Sequence, residues 1–183
     1  YEAPAGTNLL QFCLDHQIYI PHYCYHPALT VAGNCRMCMV KGKGLDLRPG
    51  VMTSCTLSVR DPGPKQEMLE IETEAPEVIK ARKGVMEFLL INHPLDCPVC
   101  DQAGECYLQD YSFTYGKDRS RFVEPKNIRH TKDVGDHVKI WGNRCILCTR
   151  CVRFCDEVVG TGELAVVERG DRNVVDNFPG LPM

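Results

Sequence analysis

CYHPALTVAGNCRMC, residues 24–38, is the stretch on which the reading of the fold turns. Cys24, Cys35 and Cys38 share one loop, and a fourth thiol, Cys55, follows after 16 further residues. Three clustered cysteines and one remote one is the ligand layout of a plant-type [2Fe–2S] site. The first gap there is usually about four residues. Here ten residues separate Cys24 from Cys35, so the loop is longer. Zinc also accepts four cysteines that include a C-x2-C pair, and spacing alone leaves both metals open. Gly33 suits a loop whose backbone N–H groups must approach negatively charged sulfurs. Arg36 either adds positive charge there or is solvated surface.

Around that loop, residues 1–73 read as one mixed unit. Asn8 to His16 is expected to be a short helix, N-capped by Thr7, with Leu9, Leu10, Cys13 and Leu14 on its apolar face. Cys13 is core on this reading. Gln17 to Pro21 is expected to be extended. Met37–Lys41, Val51–Cys55 and Met68–Thr73 read as strands around a turn at 42–50, and Asp61-Pro-Gly-Pro as a further turn.

The second unit, 74–130, holds NHPLDCPVCDQAGEC, residues 92–106. His93, Cys97, Cys100 and Cys106 place one imidazole and three thiolates in a 14-residue span. Zinc accepts Cys3His; a [4Fe–4S] cluster is the other candidate, with the neutral imidazole removing one negative charge. Such a ligand is expected to raise the potential and make it pH-sensitive. Before the loop, a helix is expected from Pro76 to Ile91, carried by Val78, Ile79, Arg82, Val85, Met86, Leu89 and Leu90 and ended by Pro94. A second helix is expected over Glu105–Tyr115. Residues 116–130 read as polar connection, with Lys117–Arg121 a partner contact or a solvated face.

The third unit, 131–183, holds Cys145, Cys148 and Cys151 in C-x2-C-x2-C. That tight turn presents three thiolates to a cubane [4Fe–4S] cluster. Cys155 extends the pattern but lacks the following proline. Thr149–Val159 is expected to be helical, with Gly160–Gly162 its stop and Leu164–Arg169 a strand. Trp141 is expected to pack near this site.

Composition narrows the classes. Twelve cysteines in 183 residues form close sets, which suits metal binding better than disulfides linking distant segments. A net charge of −3 leaves no electrostatic footprint for nucleic acid. No apolar run approaches a membrane span. No phosphate-binding glycine motif and no hydrolytic triad stand out.

IPHYCYHPALTVAGNCRMCMV (20–40), NHPLDCPVCDQAGECYLQD (92–110) and RCILCTRCVRFCDEVVGTGELAVVERG (144–170) together resemble the N-terminal, cluster-bearing region of the large iron–sulfur subunit of respiratory complex I, the NADH:quinone oxidoreductase. The resemblance implies an α+β chain. A plant-type ferredoxin-like β-grasp domain comes first, then a His/Cys3 cluster domain, then a bacterial-ferredoxin-like cluster segment. It implies Cys24, Cys35, Cys38 and Cys55 as ligands of one [2Fe–2S] cluster. His93, Cys97, Cys100 and Cys106 would hold a [4Fe–4S] cluster. Cys145, Cys148 and Cys151 would hold a second one, whose fourth ligand is expected beyond Met183 while Cys155 is a buried helix thiol. The implied role is an electron relay from a flavin (FMN/NADH-binding) subunit toward quinone, beside neighbouring iron–sulfur subunits. The implied place is the peripheral arm of a membrane complex, at the cytoplasmic face of a bacterial inner membrane or on the mitochondrial matrix side. The rivals are the electron-input subunit of an NAD-linked hydrogenase or formate dehydrogenase, and a zinc-stabilised structural or binding module.

Overall fold

Asn8 starts the first helix. In the computed structural model, which describes residues 1–44, 50–59, 68–178, 180 and 183, helix α1 spans Leu9–Asp15. The Asn8 side chain accepts from the Gln11 backbone N–H at 3.2 Å and donates to the Cys55 carbonyl at 2.7 Å. The expected cap, Thr7, is therefore displaced by its neighbour, whose longer amide both caps the helix and ties it to the segment carrying Cys55. Leu9, Leu10 and Cys13 are buried and Leu14 packs against them, so the expected apolar face holds. Full burial of Leu10 contributes roughly 1.5–3 kcal/mol.

Residues 17–21 form no strand; Gln17 takes φ 61° and turns the chain out of α1, and Ile20 is buried in the same core. Strands β1 (Met39–Lys43), β2 (Gly50–Thr53) and β3 (Glu70–Glu72) form an antiparallel sheet in the order β2-β1-β3. Met39 pairs with Thr53 and Lys41 with both Val51 and Glu72. β2 stops at Thr53 because Ser54–Thr56 tighten into a 3-10 turn, which carries Cys55. The expected turn at 61–64 and the centre of the turn at 42–50 lie outside the described residues.

Helix α2 (Pro76–Leu90) starts on Pro76, whose missing N–H is no loss in a first turn. Helix α3 (Tyr107–Tyr115) begins two residues later than expected because Cys106 is still extended, φ −110° and ψ 109°. It ends at Gly116, where a Cβ would lie 2.2 Å from the Ser112 carbonyl oxygen. Fully buried Arg82 joins these parts: it donates to Glu74 at 2.8 Å, to the Met39 carbonyl at 2.9 Å and to the Tyr115 hydroxyl at 3.3 Å.

Two antiparallel hairpins close the chain, β4 (Thr131–Asp133) with β5 (Lys139–Trp141), and β6 (Leu164–Val167) with β7 (Val174–Asn177). Between them the expected helix divides. Helix α4 (Arg150–Phe154) widens into a π-helical turn over Cys155–Val159, which Gly160 stops at φ +78°. Trp141 is partly exposed, with the Arg144 guanidinium 4.2 Å from its ring centre. Among the described residues no helix is long and apolar enough to cross a membrane.

Candidate metal centres

The first set of cysteines converges. Cys24, Cys38 and Cys55 are each 1% exposed, and Cys35 is half-buried. Thiol contacts run from Cys35 to Cys24, from Cys24 to Cys55 and from Cys55 to Cys38. Backbone N–H groups of Asn34 and Cys35 donate to the Cys24 sulfur, and that of Met37 to the Cys35 sulfur. Gly33 makes this approach feasible: it sits at φ +63°, and a Cβ there would meet Thr56 Cγ2 at 3.0 Å. Arg36 is exposed and contributes a left-handed turn, φ 60°, between Cys35 and Cys38.

Protonation at this site is shared. Hydrogen bonds from Cys35 and Cys55 hold the Cys24 thiol far below its usual range, while the same contacts and burial push Cys35 and Cys55 up. Four thiolates so close cannot coexist without positive charge among them. Iron would supply that charge, with Cys24, Cys35, Cys38 and Cys55 holding it as thiolates, so the donor set fits a cluster of Fe3+ and sulfide.

The second set lines a cleft of about 670 Å3 containing His93, Cys97, Cys100 and Cys106. Cys97–Val99 is a 3-10 turn, and Gly104 at φ +85° bends the chain back before α3. Burial lowers the His93 pKa, and Lys126 and Arg144 add to this against Asp96. The imidazole is thus neutral near pH 7, the form that ligates metal. Lys126 donates to the carbonyls of Leu90 (2.9 Å) and Ile91 (2.7 Å), capping α2 just before the ligand loop. Arg144 pairs with Asp96 at 3.3 Å, linking this loop to the third.

In the third set Leu147 and Thr149 take φ 55° and 60°, conformations that cost on the order of 1–3 kcal/mol each. They wrap the loop so that the Leu147 N–H donates to Cys145 Sγ at 3.3 Å. Burial raises the Cys145 and Cys151 thiols, and neighbouring thiols of the set add to this. Cys155 is 2% exposed, its S–H donating to Glu163; burial raises this thiol first, and Glu163 and Cys151 add to that.

All twelve cysteines are free thiols. Among the described residues, no three His, Cys, Asp or Glu side chains are arranged to hold a single metal ion. Zinc at Zn–S of about 2.3 Å draws four ligands around one point. The first set's contacts run in a row, Cys35–Cys24–Cys55–Cys38, which suits two irons better than one ion.

One apolar cluster serves all three sets. Tyr23, Met37, Met86, Leu108, Tyr111 and Tyr115 form it, and Cys35, Cys106 and Cys148 all pack against it. The sequence reading missed this shared floor. It also missed Arg150 and Arg153, which sit among the cysteines of the third loop and reach the first. Arg150 donates to the Tyr25 carbonyl at 2.6 Å, and Arg153 to the Cys24 carbonyl at 2.5 Å. Asn34 returns the contact, donating to the Leu147 carbonyl at 3.2 Å. The signal was two arginines three residues apart on a predicted helix. Lys117 and Arg121, read as a partner contact or solvated face, pair with Glu87 at 3.5 and 2.6 Å.

Comparison with known proteins gives three family matches in chain order. Residues 1–63 match a 2Fe-2S iron-sulfur cluster binding domain. Residues 82–121 match the NADH-ubiquinone oxidoreductase-G iron-sulfur binding region. Residues 135–182 match the ferredoxin-like domain of NADH-quinone oxidoreductase subunit 3. Among similar curated proteins, the NADH-ubiquinone oxidoreductase 75 kDa subunit of Reclinomonas americana is 49% identical over 97% of this chain and 24% of its own length. The mitochondrial NADH dehydrogenase [ubiquinone] iron-sulfur protein 1 of Solanum tuberosum is 46% identical over 96% of this chain and 22% of its own. The chain thus spans about a quarter of the length of these relatives. A crystal structure of an NAD+-reducing [NiFe]-hydrogenase in the H2-reduced state superposes with a TM-score of 0.81 at 26% identity, covering 95% of this chain and 69% of that one.

Proposed function

We propose, from the premise that this chain belongs to the 75 kDa iron–sulfur subunit family of NADH-quinone oxidoreductases, that it is an electron-relay region passing single electrons from a flavin subunit toward quinone. Residues 1–73 are the [2Fe–2S] unit in a β-grasp arrangement, with Cys24, Cys35, Cys38 and Cys55 as ligands. Residues 74–130 hold a [4Fe–4S] cluster on His93, Cys97, Cys100 and Cys106. Residues 131–183 hold another on Cys145, Cys148 and Cys151. The clusters supply the one-electron chemistry when bound. The chain's own residues space them, exclude water and set the local charge. Its place is the peripheral arm of a membrane complex, next to the flavin subunit and further iron–sulfur subunits.

The observation that carries this reading is the packing of one cysteine from each set on a single apolar cluster. Low-temperature EPR of the dithionite-reduced protein tests it, together with iron and acid-labile sulfide analysis. One [2Fe–2S] signal and at least one [4Fe–4S] signal are expected. Colourless protein carrying zinc in stoichiometric amount would defeat it. The hydrogenase likeness favours a second reading, the electron-input subunit of an NAD-linked hydrogenase. Copurification with a [NiFe] subunit rather than quinone-reducing partners would select it.

A further inference from the structure

Arg153 lies on α4, two positions after the last cysteine of the third set yet 129 residues from Cys24, to whose carbonyl it donates. One nitrogen makes two contacts. Nη2 lies 2.5 Å from the Cys24 carbonyl oxygen and 3.4 Å from that of Cys148. Its other terminal nitrogen, Nη1, donates to the Thr30 carbonyl, which fixes the guanidinium plane. Thr30 is held in turn by Glu157, which accepts its backbone N–H at 2.8 Å. The guanidinium is therefore clamped between the two ligand loops.

From this geometry we propose that Arg153 is the positioning residue through which the first and third sites are electronically coupled. The path runs from the Cys24 sulfur along its own Cα to the carbonyl, across Nη2, and down through the Cys148 carbonyl to that sulfur. It is covalent except for two hydrogen bonds. Electron tunnelling decays less steeply along bonds and hydrogen bonds than across a van der Waals gap. The route from Cys35 to Cys148 by way of the apolar cluster contains such gaps, and the one through the Asn34–Leu147 contact crosses more covalent bonds. The positive charge of Arg153 also lies against carbonyls of both loops and favours an added electron on either side. A neutral side chain too short to bridge the two carbonyls, as in Arg153→Gln, lacks both effects.

The inference rests on the relay reading and extends it to one side chain. Arg150 is the internal control. It ties the same two segments through the Tyr25 carbonyl at 2.6 Å rather than through a carbonyl of Cys24 or Cys148. The test uses the full-length chain in its assembled complex, as parent, Arg153→Met, Arg153→Gln and Arg150→Met. Rapid freeze-quench EPR after a reducing pulse follows equilibration between the two clusters, and dipolar coupling in the reduced state reports their separation. Both Arg153 variants are expected to slow equilibration about 10-fold or more, with the separation unchanged and both midpoint potentials lowered. Arg150→Met is expected to equilibrate like the parent. Equal slowing in Arg150→Met, a changed separation that accounts for the slowing, or loss of a cluster signal in both Arg153 variants would overturn the proposal and leave Arg153 a purely architectural tie. Absence of both signals from the parent would instead remove the relay reading itself.

Discussion

The Tyr23 hydroxyl donates to Met86 Sδ at 3.4 Å, inside the cluster on which Cys35, Cys106 and Cys148 rest. Tyr23 therefore serves three sites at once. Replacing it with Phe keeps the ring and loses only a weak hydrogen bond, at a cost under about 1 kcal/mol. Tyr23→Ala leaves a cavity worth ~3–5 kcal/mol, and iron content should fall at every site. Urea unfolding and iron per chain check this. Loss confined to a single cluster in the Ala variant would contradict a shared floor.

Arg82 is buried without exposure while its partner Glu74 is 61% exposed. Its worth therefore lies in the buried acceptors rather than the ion pair. Arg82→Met strands the Met39 carbonyl and the Tyr115 hydroxyl, at roughly 1–3 kcal/mol each. Glu74→Gln should cost less than about 1 kcal/mol. Chemical denaturation of both variants separates the two, and equal losses would assign the stabilisation to the ion pair.

The Arg121 guanidinium, hydrogen-bonded to Glu87, holds that carboxyl down to about 2. A depressed carboxylate stabilises the fold fully above the ordinary carboxylate range, and its contribution is lost as pH falls from there through about 2. NMR titration of the Glu87 carboxyl should give a midpoint well below normal, rising in Arg121→Gln. A normal midpoint in the parent would show that residues 117–121 are not tied to α2.

The Cys155 S–H donates to Glu163, with Cys151 near enough to raise its pKa as well. Cys155→Ala should retain the iron and labile sulfide of the parent and lower stability modestly. Cys151→Ala should lose the third cluster's EPR signal. If Cys155→Ala loses that signal as well, Cys155 is a ligand after all.

Burial of the half-buried His93 ring lowers its pKa and so favours the neutral imidazole. His93→Cys should retain a [4Fe–4S] signal at a lower midpoint potential, because a thiolate adds negative charge that an imidazole does not. His93→Ala should lose that signal and spare the other two. Redox-poised EPR reads both outcomes.

Much of the candidate site could be proposed from the sequence because the spacing of its donors is local. The C-x2-C pairs and the His93 loop lie within short spans, and α2 announces itself through Pro76 and its apolar period. What the sequence hid is long-range or polar. Thr7 and Asn8 are both good cap residues, and only the reach to the Cys55 carbonyl decides between them. β4 is exposed at every position, so no alternation betrays it. β6 was expected, but its partner β7 lies across a short turn with mixed burial. The bridging by Arg153 joins residues 129 apart, and no pattern along the chain encodes that meeting.

The unequal closure of the sites orders how easily their sulfurs meet solvent. Cys24, Cys38 and Cys55 are each 1% exposed, while the second set opens on its cleft. Arg150 and Arg153 add to that difference, holding the first loop through the Tyr25 and Cys24 carbonyls. A chelator or oxidant dissolved in water therefore reaches the second set more readily than the first.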